Sequence, residues 1–189
     1  VGSEMCIRDS SRVAERAAKE CLYYNDGPAY TPCCRVSSGV TDNGGFTYLP
    51  ALKLSRDPDS PEYSASSEYT CTAVRKMLAP VTGSVVLPAD KAEWFSEPQY
   101  TKNGTLRCIR FGGVELTGEQ LREALGLRSA AVAITQEHDS FIFRTRGSGG
   151  GVGMSVYTAD LMARSGLSAQ EILQQFYPCL LYTSPSPRD

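Results

Sequence analysis

Residues 146–155 concentrate the groups that could meet a ligand through backbone alone. They read Arg146-Gly-Ser-Gly-Gly-Gly-Val-Gly-Met-Ser155, with glycine at 147, 149, 150, 151 and 153. Glycine reaches positive φ and lets another chain or a ligand approach the main chain closely. Such a loop presents N–H and C=O groups, and Arg146 adds a guanidinium that can pair a carboxylate in two-pronged fashion. Phosphate binding at a helix N-terminus is the first chemistry to test. The spacing excludes the known versions: there is no Gly-x-x-x-x-Gly-Lys-Ser/Thr, and these glycines do not form Gly-x-Gly-x-x-Gly. A second polar stretch, residues 37–45, carries Ser37, Ser38, Gly39 and Thr41, hydroxyl donors and acceptors suited to sugar or peptide.

The elements that must position these loops are legible as short pieces. Met154 to Ala163 has helical spacing, with Tyr157 and Leu161 on one face and Gly166 as its stop. Ser168-Ala-Gln-Glu171 and Thr117-Gly-Glu-Gln120 are capping boxes that open helices with Ile172, Leu173 and Phe176, and with Leu121, Ala124 and Leu125, turned inward. Asn25-Asp-Gly27, Asn103-Gly104 and residues 137–140 are turn signals between strands. They predict hairpins over 21–24 and 28–36, a strand over 106–111 continued at 114–116, and a last hairpin of 131–136 with 141–145. A strand over 68–72 and a helix over 73–78 that Pro80 stops complete the set. Residues 48–61 are proline-rich and predicted irregular. Trp94-Phe95 is read as core, an aromatic platform for a sugar being the alternative. His138 is the only histidine and falls on a hairpin tip, where solvent is its expected partner. The fold class expected is α+β, antiparallel hairpins with a few short helices, truncated at both ends.

The two loops and their flanks also carry a resemblance. Residues 146–157, followed by Ala159, Met162-Ala163, Gly166, Glu171-Ile-Leu173 and Tyr177-Pro178, resemble the signature of the stage II sporulation protein D family, also called the amidase-enhancer (LytB-type) family. Residues 34–41 and 121–129 are similar to two further motifs of that family, and residues 48–61 to a third. The chain departs from the family at Gly150, where the family has His, at Val156 for Gln and at Thr158 for Gly. The resemblance implies a lytic transglycosylase acting on the glycan strands of the bacterial cell wall. One carboxylic acid would protonate the glycosidic oxygen, then act as base while the muramyl C6 hydroxyl attacks, so the pair used by ordinary glycosidases is not needed.

The family's acid lies in a helix patterned Glu-x-Leu-Lys-Ala-Gln-Ala, which this chain lacks. No catalytic residue is therefore assigned, to Glu15 or Glu20 in particular, and the fragment itself is expected to be inactive. The substrate-binding residues implied are Ser37, Ser38, Gly39, Thr41, Arg128, Arg146, Gly147, Gly149, Gly151, Gly153, Met154, Ser155 and Tyr157, on two loops facing each other across one groove. The implied partners are peptidoglycan glycan strands and other cell-wall hydrolases, and the implied location is extracytoplasmic. The competing class is a non-catalytic wall-binding protein or amidase activator. Some members hold zinc near residue 34 through His and two Cys. Here Cys34 stands for that His and Ser37 for a Cys, so no metal and no cofactor are expected.

Composition excludes other classes. A net charge of −2 gives no basic surface for nucleic acid, and no run approaches membrane-spanning length. Among residues 11–178 the cysteines are Cys21, Cys33, Cys34, Cys71 and Cys108, an odd set without Cys-x-x-Cys, read as thiols. The ends have a separate reading. Codons chosen for residues 1–10, when reverse-complemented, spell residues 179–187. Residues 1–10 and 179–189 are accordingly read as translated sequencing adapter around a sporulation-type domain at 11–178, and are expected to make no packed contacts.

Overall fold

The computed structural model describes residues 21–25 and 27–183. The fold is α+β, built from small antiparallel sheets and short helices. Its centre is the sheet of β4 (Ser64–Thr70), β9 (Ser140–Arg146) and β8 (Val132–Glu137), in the order β4-β9-β8. Both pairings are antiparallel, running from Ser64 opposite Arg146 to Thr70 opposite Ser140. The β8–β9 hairpin turns at His138, which takes φ 51°, so the sole histidine does sit on an exposed tip. A second sheet orders β5 (Phe95–Tyr100), β6 (Leu106–Phe111) and β7 (Val114–Thr117).

Alternation along β9 puts Phe141, Phe143 and Thr145 on one face. The two phenylalanines meet Trp94, Phe111, Val74, Leu78, Leu121 and Leu125 in the larger core. Burying a side chain of that size contributes about 1.5–3 kcal/mol. Trp94 is part of this core and donates through Nε1 to the Pro88 carbonyl at 3.0 Å, so it is no sugar platform. Two helices cover the core. α1 (Cys71–Thr82) starts on Thr70, whose hydroxyl accepts from Ala73 N at 3.2 Å. The expected stop at Pro80 is not observed: the helix runs on to Thr82 and closes at Gly83, φ 68°. Pro80 lies in the last turn, where it costs the helix one backbone donor without ending it. α2 (Gly118–Ala124) opens with both bonds of the Thr117/Gln120 capping box.

A smaller core lies beneath the loops. Tyr48, Leu49 and Leu54 of the irregular segment pack with Ile172, Phe176 and Tyr177. The helices here are α3 (Val156–Arg164) and α4 (Ala169–Phe176), the latter capped by Ser168 and Glu171 as expected. The predicted helix start at Met154 is two residues early, because Met154–Ser155 forms a strand, β10, and Ser155 becomes the N-cap.

The N-terminal hairpin is shorter than expected. β1 (Cys21–Tyr24) pairs with β2 (Gly27–Pro28), while β3 (Cys33–Cys34) leaves it to pair in parallel with β10. The expectation that residues 179–189 stay unpacked fails for residues 180–183. Leu180 is buried in the smaller core, and β11 (Leu181–Thr183) adds to β1. An apolar, strand-forming tetrapeptide docks on an open strand edge whatever the origin of its codons. Residues 1–20 and 184–189 fall outside the described residues.

Candidate functional site

The site is organised on a carboxylate. Asp57 opens the 3-10 turn Asp57–Asp59 and is 0% exposed. Its Oδ2 accepts from Ser37 N at 2.7 Å. Its Oδ1 accepts from Ser155 Oγ at 2.8 Å and Thr158 Oγ1 at 2.6 Å. One buried group thus ties the loop at 37–41, the proline-rich segment and the N-terminus of α3. Such charge-assisted bonds are about twice as strong as neutral ones. Ser155 does double duty, its Oγ also accepting from Thr158 N at 3.3 Å.

The main chains complete the junction. Ser148 N donates to Val36 O at 2.7 Å, Val36 N to Ser148 O at 3.2 Å, and Asp42 N to Gly151 O at 2.8 Å. Gly147 N reaches Tyr63 O at 2.6 Å, and Tyr63 Oη donates to Ser38 O at 3.1 Å. Below β10, Pro32 O accepts from Met154 N at 3.1 Å and from Tyr177 Oη at 2.6 Å. Burial, above all, pushes the Tyr177 phenol up to about 12, so it stays a donor. The glycines permit this contact. At Gly147, φ 79°, an added Cβ would come within 2.8 Å of the Val36 carbonyl; at Gly153, φ 73°, it would overlap Pro32 O.

The two loops expected to face each other across a groove are therefore bonded directly together. Ser37, Thr41 and Ser155 are fully buried, and their hydroxyls hold the protein: Ser37 Oγ accepts from Gly39 N at 3.1 Å, and Thr41 Oγ1 from Leu52 N at 2.9 Å. Ser38, Gly39, Gly149, Gly151, Met154 and Tyr157 are partly accessible, whereas Gly147 and Gly153 are buried. Arg128 and Arg146 are exposed. Arg128 lends its carbonyl to Gly149 N at 2.8 Å.

What remains open is a pocket of about 310 Å³ on the other side of the glycines, lined by Tyr30, Cys33, Phe46, Gly150 and Val152 among others. Tyr30 is 63% exposed, and its ring lies 5.5 Å from that of Phe46. Exposed aromatic faces of this kind suit a sugar ring, an apolar body with a polar rim. Sequence reasoning singled out neither Tyr30 nor Phe46, nor Asp57 and Thr158. In the sequence Thr158 stands only as a departure from the family's glycine, yet its hydroxyl makes the shortest bond to Asp57. No group of three His, Cys, Asp or Glu side chains suited to a metal occurs among the described residues.

Gly150 differs from its neighbours. Its φ is not positive, and nothing lies within 4 Å of an added Cβ. Gly150→His is expected to fold with stability changed by less than about 0.5 kcal/mol, as for an open surface position, when measured by urea denaturation. A loss of several times that would show the pocket to be closed.

Cys33, Cys34, Cys71, Cys108 and Cys179 are free. Burial first, and the Asp57 charge second, push the Cys34 thiol from 9.0 up to about 12. A raised thiol pKa favours the folded state below the ordinary value, and that contribution is lost as pH climbs from 9.0 toward about 12. Iodoacetamide at pH 8 should therefore modify exposed Cys33 and Cys179 first and spare Cys34 until the chain unfolds, as peptide mass spectrometry will read out.

These features define an α+β protein whose glycine-rich loop is locked to a second polar loop beside an aromatic pocket. No protein-family profile matches the chain. It is 30% identical over 163 residues to stage II sporulation protein D of Bacillus subtilis (strain 168), a match covering 82% of this chain and 46% of that protein. Against stage II sporulation protein D of Bacillus amyloliquefaciens it is 28% identical over 162 residues, covering 82% and 45%. The chain is thus homologous to sporulation proteins of this kind over the matched region, and it spans about half the length of these curated relatives.

Proposed function

We propose that the chain is the glycan-binding part of a sporulation protein that acts outside the cytoplasm on cell-wall peptidoglycan. The pocket beside Gly150 would receive a sugar on Tyr30 and Phe46, with the accessible backbone groups at Gly150 and Val152 meeting its hydroxyls. The observation that carries this reading is the junction at Asp57. It ties the loop at 37–41 to Ser155 and Thr158, directly after the glycine-rich loop whose Gly150 and Val152 line that pocket.

In this reading the parent protein is a lytic transglycosylase whose acid lies outside residues 21–183. Asp57 does not fit the role of acid, since its oxygens already accept three protein hydrogen bonds in a site without solvent access. A non-catalytic wall binder or amidase activator would use the same pocket. Gly150 favours that second reading, because it leaves the loop without the titratable ring that the family's His supplies.

Co-sedimentation with purified peptidoglycan tests the binding. The chain should pellet saturably, and Tyr30→Ser with Phe46→Ser should release it by about ten-fold or more, the effect expected from losing two aromatic stacking contacts of about 0.5–1.5 kcal/mol each. Wild-type chain left wholly in the supernatant would refute the reading. Mass spectrometry of the soluble fraction should find no anhydro-muramyl product above a protein-free control. Its appearance would place the acid inside this chain.

A further inference from the structure

The net charge of −2 conceals a local basic surface on the outer face of the central sheet. Alternation turns Ala65, Thr145 and Val132 to the core side, the side of Phe141 and Phe143. Ser64, Ser66, Arg144, Arg146 and Ala133 turn the other way, and all five are exposed. Register sets them in rows: Ser66 and Ala133 flank Arg144, and Ser64 stands opposite Arg146. The five line one recess of about 660 Å³, which Tyr100 and Gly104 of the β5–β6 hairpin border. With only serine and alanine beside them, the two arginines are the long groups at this end of the face.

Residues two apart on a strand share a face at about 6.6 Å along it, and like charges so placed repel. Among the described residues neither Arg144 nor Arg146 forms an ion pair, although Arg35, Arg56, Arg110, Arg122 and Arg164 all do. Arg144 reaches Thr135 Oγ1, on the same outer face, at 3.5 Å. Arg146 lies beside Gly104, where an added Cβ would stand 2.8 Å from Nη2. The turn that Gly104 N closes on Thr101 O at 2.9 Å also presents Lys102, exposed and likewise without an ion pair among the described residues. The acids of this face begin one row further on, with Glu68 beside Ile142 and then Glu137 beside Ser140. Three cations therefore gather at one corner with no anion of the described chain to offset them.

We propose that this face binds a linear phosphodiester, a polyol-phosphate chain laid along β9 with successive phosphates on Arg146 and Arg144. Each guanidinium offers a fork of N–H donors that fits two oxygens of one phosphate. A short polyol separates its phosphates by a distance of the same order as the spacing of the two arginines. Ser64 and Ser66 add hydroxyls beside the arginines, and among the described residues neither hydroxyl is engaged by the protein. The face discriminates against two other polyanions. β9 is the middle strand, so its N–H and C=O groups are engaged by β4 and β8, and an acidic peptide lying here would find no main-chain partner. The outer positions of the three strands hold no aromatic side chain on which a single-stranded nucleic acid could stack its bases. The inference stands on the sheet face alone and not on the glycan reading of the pocket beside Gly150.

Amide-resolved NMR titration of the whole chain with a synthetic oligo(glycerol phosphate) tests this. The ligand should shift Ser66, Ala133, Arg144 and Arg146, and its affinity should fall as salt is raised. An oligoglutamate and an oligothymidylate of equal charge should bind several-fold more weakly. Arg144→Gln should weaken the phosphate chain about ten-fold or more, the loss expected when a charge-assisted pair is left unmade. Ser66→Glu keeps both arginines but sets a carboxylate opposite Arg144, and should weaken it to a similar degree. Oligoglutamate bound as tightly as the phosphate chain would overturn the proposal in favour of an acidic peptide, and oligothymidylate bound as tightly would overturn it in favour of a nucleic acid. An affinity unchanged in either variant, shifts confined to residues around Gly150, or no shifts at all would overturn it outright. Neutral oligomers of N-acetylglucosamine read the aromatic pocket separately. They should shift residues around Gly150 equally in the wild type and both variants, so the two readings fail independently.

Discussion

Asp57→Ala is expected to lower the stability of the chain by about 3–5 kcal/mol, since it leaves three buried donors without an acceptor at about 1–3 kcal/mol each, partly relieved by relaxation. The substitution leaves Ser37 N, Ser155 Oγ and Thr158 Oγ1 without their acceptor in a place that water does not reach. Asp57→Asn separates charge from shape. An amide can still accept from both hydroxyls through its oxygen, but it turns an NH₂ toward Ser37 N, donor against donor. That variant should lose about 1–3 kcal/mol, the price of one unsatisfied buried group. Urea denaturation followed by circular dichroism measures both. Equal losses would mean that the charge and the bond to Ser37 N carry the whole effect and the two hydroxyl bonds none of it, and no loss would mean that the two loops are held by something else.

Gly153→Ala is the second large effect, with an expected cost of about 3 kcal/mol from two sources. Left-handed backbone, φ 73°, accounts for about 1–2 kcal/mol of it. The remainder comes from the new Cβ, which overlaps Pro32 O, the acceptor shared by Met154 N and the Tyr177 hydroxyl. Gly151→Ala is the matched control. It has nearly the same backbone, φ 68°, with nothing within 4 Å of the added atom, so it should show the backbone cost alone. If the two variants melt together, the close approach of β3 and β10 contributes nothing.

How much of this was legible in the sequence follows from the range of each interaction. The Thr117/Gln120 and Ser168/Glu171 capping boxes join residues three apart, and both appear with all their bonds. The β8–β9 hairpin is also local, set by apolar alternation on either side of a turn, and it appears within a residue or two of its expected bounds. In the sequence β3 reads as the return arm of the first hairpin, which the structure corrects. Its partner, β10, lies more than a hundred residues on, and two residues of strand carry no periodic signal. The same distance hid the role of Asp57: an Asp-Pro-Asp run reads as a turn, and nothing local says that two distant hydroxyls will close on it.

At the candidate site several polar atoms that the sequence offers to a ligand are taken up by the fold itself. Ser37, Thr41 and Ser155 stood out as hydroxyls for a ligand, and the fold uses them to hold itself together. The glycines stood out as openings for a sugar, yet 147 and 153 are openings for the protein's own carbonyls. Tyr30 and Phe46, which border the accessible pocket, looked like any strand and loop aromatics, because exposure is decided by neighbours that the sequence does not order.

The most direct test of the account is protection of Cys33. This exposed thiol lines the pocket beside Gly150, whereas Cys179 is exposed elsewhere. The rate of maleimide labelling at each is measured by peptide mass spectrometry with and without saturating soluble glycan strands. If the pocket is the glycan site, labelling of Cys33 slows as glycan is added and Cys179 keeps its rate. If Cys33 reacts at an unchanged rate while the chain is bound to glycan, the sugar sits elsewhere and the assignment of this pocket is wrong.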